Sequence, residues 1–308
     1  MPISLHSHSG QFCNHAKGTL DEVANTVVAK GFRVFGLSEH IPRSRAQDLY
    51  EEEKHLTPAD LAKTFDSYVT KAREVQAALK SKVRILVGAE TEFIYPEQAQ
   101  EIRQLRDKYQ LDYLVGSLHH VNGIPIDITP AMYDQAIEAS GGTEEALFSA
   151  YFAAQAQMLQ ELHPEVVGHM DVIRIFRPKA TFSPKVWAQI DENIRYAISY
   201  GAIFEINPRA WKKGLAYPYP QKDVISRIQE LGGKFTLGDD SHGPQDVGLY
   251  YDRLAPFLNE VGISHIYYPS PEGNRLRQED SPLKVELLSD QIANESFWSD
   301  LNSSSSFS

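Results

Sequence analysis

Seven short apolar runs punctuate the chain, at residues 3–8, 34–40, 84–93, 113–121, 166–171, 203–208 and 235–240. Each is nearly continuous rather than strictly alternating. That is the pattern of strands buried on both faces of a parallel sheet. Most of the segments between them read as helices. Thr19 caps one that opens Leu20-Asp21-Glu22 and runs to Lys30, where Gly31 ends it. Thr57 caps a longer one, with Pro58 in its first turn, reaching Lys80. Further helices are predicted over 96–109, 142–162, 183–200 and 221–231, the last stopped by Gly232-Gly233. Strand alternating with helix along a whole chain predicts a parallel α/β fold, and seven such units predict a barrel rather than an open sheet.

Residues 264–269 read as an eighth strand or an added terminal strand, 270–282 as a loop, 283–301 as a final helix, and the polar stretch 302–308 as a disordered tail. No Pro-, Gly- or Ser-rich linker interrupts residues 1–270. Residues 1–301 are therefore expected to form one domain, with a terminal extension from about 270. Two connections, 41–58 and 122–142, are longer than a barrel needs. Both follow strands at their C-terminal ends, the active-site face of such a barrel. The first carries Glu51-Glu52-Glu53-Lys54, read here as a solvated surface.

Composition narrows the function. Of 308 residues 42% are apolar, which suits a soluble protein with a full core, and no apolar run reaches the roughly 18 residues of a membrane span. No basic region followed by an apolar run marks the N-terminus, so a cytoplasmic protein is expected. The lone Cys13 fits a reducing compartment. It reads as a small, partly buried residue sooner than as a fourth metal ligand. The net charge is 30 − 41 = −11, with basic residues scattered. That argues against nucleic acid and for a small-molecule partner, and leaves the oligomeric state open.

The chemistry lies in the histidines. His6 and His8 are two apart on a strand and share a face. Five more of the eleven sit at or beyond predicted strand ends: His15, His40 in Ser38-Glu39-His40, His119 in Gly116-Ser117-Leu118-His119, His169 in Gly168-His169 and His242 in Asp240-Ser241-His242. Glu90 and Asp240 join them, with Asp171, Glu92 and Asp239 nearby in sequence. Imidazoles and carboxylates gathered on one barrel rim are what a multi-metal site requires.

These motifs, in this order, resemble the polymerase and histidinol phosphatase (PHP) family over roughly residues 1–280, and in particular its monofunctional histidinol-phosphatase branch. The resemblance implies a distorted seven-stranded (β/α)7 TIM-like barrel with three divalent ions at the C-terminal strand ends. It implies that His6, His8, Glu90 and Asp240 hold one ion. Glu90 would bridge to a second held by His119 and His169, and His15, His40 and His242 would hold the third. Zinc, iron and manganese all suit such ligands. Cationic phosphate ligands are implied after the fifth and sixth strands. Arg174 matches the first. The family's second arginine aligns with Lys212, and Arg209 offers a guanidinium from a shifted position.

The implied activity is hydrolysis of L-histidinol phosphate, in histidine biosynthesis, by direct attack of a hydroxide bridging two metals. Asp240, His242 and His120 are candidates for assisting the leaving group, and Glu92, Asp127 or Glu205 for meeting the cationic substrate. The alternatives are a PHP phosphoesterase acting on another small ester or a nucleotide, an amidohydrolase, which would need a lysine at a middle strand end, and a barrel that has lost its chemistry.

Overall fold

The computed structural model describes residues 3–269 and 285–287. Seven parallel strands form one sheet: β1 (Ile3–Ser4, resumed at Ser7–His8), β2 (Val34–Leu37), β3 (Arg84–Glu90), β4 (Tyr113–Gly116), β5 (Val166–Val167), β6 (Ile203–Ile206) and β7 (Lys234–Leu237, resumed at Ser241–His242). They pair in chain order, each with the next. The sheet then closes on itself. Leu5 N donates to Leu237 O at 2.9 Å, and Ser7 and His8 pair in parallel with Ser241 and His242. The seven-stranded barrel is therefore present, and its closing seam carries two of the expected metal ligands.

The strands stop sooner than the apolar runs predict. Hydropathy does not register where ladder hydrogen bonds end, because the rim loops are buried as well. Past Glu90 the chain passes through a left-handed Phe93 (φ 37°), and past Leu237 through a left-handed Asp240 (φ 49°). Past Gly116 it leaves the barrel for a hairpin of His120–Val121 with Ile124–Pro125.

The helices are α1 (Leu20–Ala29), α2 (Pro58–Leu79), α3 (Gln98–Tyr109), α4 (Pro130–Ala139), α5 (Glu144–Leu162), α6 (Pro184–Ser199), the short α7 (Arg209–Lys212), α8 (Lys222–Glu230) and α9 (Tyr251–Glu260). Thr19 and Thr57 cap as expected, each in a reciprocal capping box with Glu22 or Asp60. The segment 122–142 is not a plain loop. Thr129 accepts from Met132 N and starts α4, whose inward face is only Tyr133 and Ala136, too little for a clear period. An internal Pro256 similarly disguises α9.

One apolar cluster runs from Ile3 to Tyr268, filling the barrel and the layer between strands and helices. Outside the barrel, Tyr267–Pro269 pairs antiparallel with Val285–Leu287. This corrects part of the helix expected over 283–301: at 285–287 it is a strand, which builds its hydrogen bonds on a neighbour rather than within itself. The rest of that helix and the tail 302–308 lie outside the described residues. Among the described residues no helix is long and apolar enough to cross a membrane.

Candidate metal centre

The C-terminal ends of the strands converge on one carboxylate. Glu90, the last residue of β3, is buried, with five imidazoles around it. His169 Nε2 lies 2.9 Å away, His40 Nδ1 3.0 Å, His6 Nε2 3.1 Å, His8 Nε2 3.4 Å and His119 Nε2 3.5 Å. Asp240 Oδ1 completes this inner group, 3.8 Å from His6 Nε2 and 3.6 Å from His8 Nε2. The two oxygens of Glu90 face different imidazoles. His6, His119 and His169 approach Oε1, whereas His8 and His40 approach Oε2. A carboxylate placed so can bridge two ions.

Behind these imidazoles stand further carboxylates. Glu205 Oε1 is 2.8 Å from His6 Nδ1, Glu39 Oε2 is 3.3 Å from His8 Nδ1, and Glu92 Oε2 is 3.2 Å from His119 Nδ1. Each fixes a ring through Nδ1 and leaves Nε2 turned inward, the outer support that metal-bound histidines use. Glu205 also accepts from His169 N at 2.8 Å, and Glu39 from Ser9 N at 2.7 Å. Gly238 makes room for this packing. A Cβ there would collide with Glu205 Oε1 and come within 2.9 Å of the His6 side chain.

A second, outer group consists of Cys13, His15, His40 and His242, whose donor atoms lie within 4.8 Å of one another. His242 Nδ1 faces the Asp240 carbonyl at 2.9 Å and His15 Nδ1 faces Glu52 at 3.2 Å. Glu52 therefore backs His15, and Glu53 is buried against Arg43. Glu53 departs from the solvated surface expected of the 51–54 run, whereas Glu51, Glu52 and Lys54 are exposed as expected.

The electrostatics divide the histidines, except that His40, common to both groups, is held well above its ordinary value, against the effect of burial, by Glu90. Burial works to lower the pKa of His6, but Glu90, Glu205 and Asp240 overcome it and hold the ring well above its ordinary value. Burial likewise opposes His119, yet Glu90 and Glu92 raise it to about 9. In the outer group burial, reinforced by His40 and His8, lowers His15 to about 4. His242 is pushed well below its ordinary value by burial and His8. Burial would raise Glu90 and Asp240, but the imidazoles, His6 foremost, hold both well below the ordinary carboxylate range. Protons thus occupy part of the inner group where a dication would otherwise supply the positive charge, whereas His15 and His242 present the neutral ring that ligates.

The structure resolves several sequence ambiguities. His119 joins the inner group, whereas His120 turns away and stacks on Tyr50 with ring centroids 5.9 Å apart. Asp240 faces the site. Asp239 faces the core, bonded to Ser4 Oγ, Ser241 N and Gly248 N, and burial pushes it to about 6. Of the acids offered to a cationic substrate, Glu205 is sealed behind His6. Glu92 is taken by Arg43, Tyr50 and His119. Neither is free to meet a ligand.

Arg174 has partners other than phosphate. Buried at 2% exposure, it bonds Asp171 and Asp223 and lies 4.4 Å over the Phe182 ring. Arg209 donates to the Asp240 carbonyl at 2.8 Å and to Asp246 at 3.2 Å, beside the inner group. Lys212 is held by Asp246 at 2.7 Å.

The donor set is almost fully legible in the motifs, but its support is not. Glu39 lies inside Ser38-Glu39-His40, and Glu205 stands in a strand otherwise made of Ile and Phe. An acid in a fully buried strand is the available signal. Cys13, expected as a small and partly buried residue, is buried but stands among the outer histidines.

Buried polar atoms without hydrogen-bond partners test whether cations belong here. Among them are His6 Nε2, His8 Nε2, His40 Nε2 and Asp240 Oδ1, all in these two groups. Such atoms cost about 1–3 kcal/mol each when left unpaired, and they become ligands when an ion is bound. Imidazole nitrogen and carboxylate oxygen suit zinc, iron and manganese. The residues fit a divalent-metal centre.

Comparison with known proteins agrees. The PHP domain family model matches residues 4–209. A Schizosaccharomyces pombe protein named probable histidinol-phosphatase is 48% identical over 281 residues, covering 89% of this chain and 92% of the relative. The Saccharomyces cerevisiae histidinol-phosphatase is 29% identical, covering 97% and 99%. In structure, histidinol phosphate phosphatase from Lactococcus lactis, solved with zinc, L-histidinol and phosphate, superposes with a TM-score of 0.65 at 20% identity, covering 88% of this chain and 98% of that one. With the barrel, the rim and its motifs in the expected order, the chain belongs to the PHP domain family.

Proposed function

We propose that this protein is a metal-dependent histidinol-phosphatase, hydrolysing L-histidinol phosphate to L-histidinol and phosphate. The observation that carries the reading is the ring of five imidazoles around the Glu90 carboxylate. Kinship to proteins named for that activity supports the substrate. Three ions would be held: one by His6, His8, Glu90 and Asp240, one by Glu90, His119 and His169, and one by the outer group. Bound there, divalent ions neutralise phosphoryl oxygens and lower the pKa of water to about 7.

The chain's own groups do the rest. Glu205, Glu39 and Glu92 orient His6, His8 and His119, so the site needs little reorganisation. Arg209, beside Asp240, is the guanidinium placed to take a phosphate oxygen. Arg209 would keep Nη1 on the Asp240 carbonyl and Asp246, whereas Arg174 would first have to exchange Asp171 and Asp223, and Lys212 Asp246, for phosphate. Asp240, at the edge of the buried rim, is the group assigned to proton movement at the leaving oxygen; His242, with Nδ1 on the Asp240 carbonyl, is kept for the outer ion.

The test is kcat/KM for L-histidinol phosphate beside a panel of small phosphomonoesters and nucleoside monophosphates. The expected result is a preference for L-histidinol phosphate. A nucleotide or another ester turned over faster would replace this substrate with the alternative reading, a PHP phosphoesterase of different specificity.

A further inference from the structure

Cys13 is not placed as an ordinary core residue. It is 6% exposed, yet its sulfur lies against polar nitrogen, 3.3 Å from His15 Nε2, in the group completed by His40 and His242. The Nδ1 atoms of the three rings are directed elsewhere: His15 to Glu52, His242 to the Asp240 carbonyl, and His40 to Glu90 and Glu92. Each Nε2 is thereby left for the group, and His40 Nε2 is buried with no hydrogen-bond partner.

The loop that carries Cys13 is fixed before any ion arrives. Cys13 N donates to Ser9 O at 2.9 Å, Ala16 N to Cys13 O at 3.1 Å, and Lys17 N to His242 O at 2.9 Å. The last bond ties the loop to β7, whose resumed segment carries His242. Thiol and imidazoles therefore converge from three parts of the fold: this loop, the end of β2 and the end of β7.

The spacing suits a single tetrahedral ion. With metal–sulfur and metal–nitrogen bonds of about 2.3 and 2.0 Å, a tetrahedron sets sulfur and nitrogen about 3.5 Å apart and two nitrogens about 3.3 Å apart. The observed Cys13–His15 separation of 3.3 Å is close to that edge.

We infer that Cys13 is a thiolate ligand of the outer ion, completing a closed shell of one thiolate and three imidazoles, unlike the nitrogen- and oxygen-only inner group. This rests on the metal-centre reading above. As the metal–sulfur bond forms, the thiol proton passes to solvent and no electron is transferred. A thiolate favours zinc, cobalt and cadmium over manganese and magnesium. The outer position therefore selects softer ions than the inner ones, and a four-protein-ligand shell makes that ion a staple between loop, β2 and β7.

Because the chain has one cysteine, the assignment can be read by spectroscopy without ambiguity. The full-length protein is stripped by chelation and reloaded with cobalt(II), bound cobalt is counted by elemental analysis, and the electronic spectrum is recorded. The expected result is an intense near-ultraviolet sulfur-to-cobalt charge-transfer band with tetrahedral visible transitions. Cys13→Ser should lose the band entirely and retain one ion fewer. Wild-type protein that loads cobalt but shows no such band overturns thiolate ligation and leaves the metal-dependent function standing. Protein that binds no cobalt, zinc or manganese overturns both. The wild-type spectrum decides the matter even if the serine variant does not fold.

Discussion

The inner and outer groups meet at the same rim but are built on different principles. The inner one stands on strand ends. Glu90 closes β3, His8 closes β1 with His6 in the break just before its resumed segment, and Glu205, behind His6, comes from β6. Its anionic charge is buried and backed by further carboxylates. The outer one draws Cys13 and His15 from a loop, contains no carboxylate, and leaves His15 with a side chain 40% exposed. Rigid, charged and shared describes the first, which suits chemistry on a phosphoryl group. Looser and peripheral describes the second.

Glu90→Gln should break the inner group most severely, since on the proposed function one substitution removes the carboxylate that two ions would share. Phosphate release is expected to fall by about 10³-fold or more, with bound metal reduced on elemental analysis. Near wild-type turnover would remove Glu90 from the centre. Arg209→Met should cost roughly tenfold to a hundredfold in kcat/KM, the worth of one charge-assisted hydrogen bond. Arg174→Met should act mainly on thermal stability. The reverse pattern would return the phosphate to Arg174.

Glu205→Gln tests whether outer support matters to the inner ions. It should raise the metal concentration for half-maximal activity by roughly 10–100-fold. An unchanged metal dependence would reduce Glu205 to a buried structural acid. Away from both groups, Asp223 gives a stability signature. Burial works to raise its pKa, but Arg174 holds it below the ordinary value. Its contribution is therefore complete above about pH 4 and lost as pH falls through the depressed value. Denaturant melts of wild type and Asp223→Asn should differ at neutral pH and converge in acid, and a gap that widens in acid would contradict the assignment. Smallest, Thr143→Ala removes the cap that accepts from Ala146 N on α5 and should cost about 1 kcal/mol in the same melts. No loss would mean that tertiary packing alone holds that end of the helix.

How much of this is legible in the sequence follows from which physical signal each feature leaves. The barrel is legible because strands buried on both faces are apolar throughout, and the ligands are legible because histidines rarely gather at strand ends. Helix α4 is not, since two buried residues make no periodic stripe. The division of Asp239 from Asp240 is legible only through the family resemblance, not from local pattern. It depends on a left-handed backbone at Asp240, which sequence alone does not announce. Arg174 reads as a phosphate ligand from its position after β5. Its engagement by Asp171 and Asp223 joins residues 3 and 49 apart, and the longer contact is invisible to any local pattern.

The central claim is that the Glu90-centred rim hydrolyses a phosphate ester only with its ions in place. The most direct measurement is phosphate release from L-histidinol phosphate by untreated protein, by chelator-stripped protein, and by stripped protein resupplied with zinc or manganese. The account predicts turnover, its loss on stripping, and its recovery on resupply. Undiminished turnover by protein shown to be free of metal would contradict it.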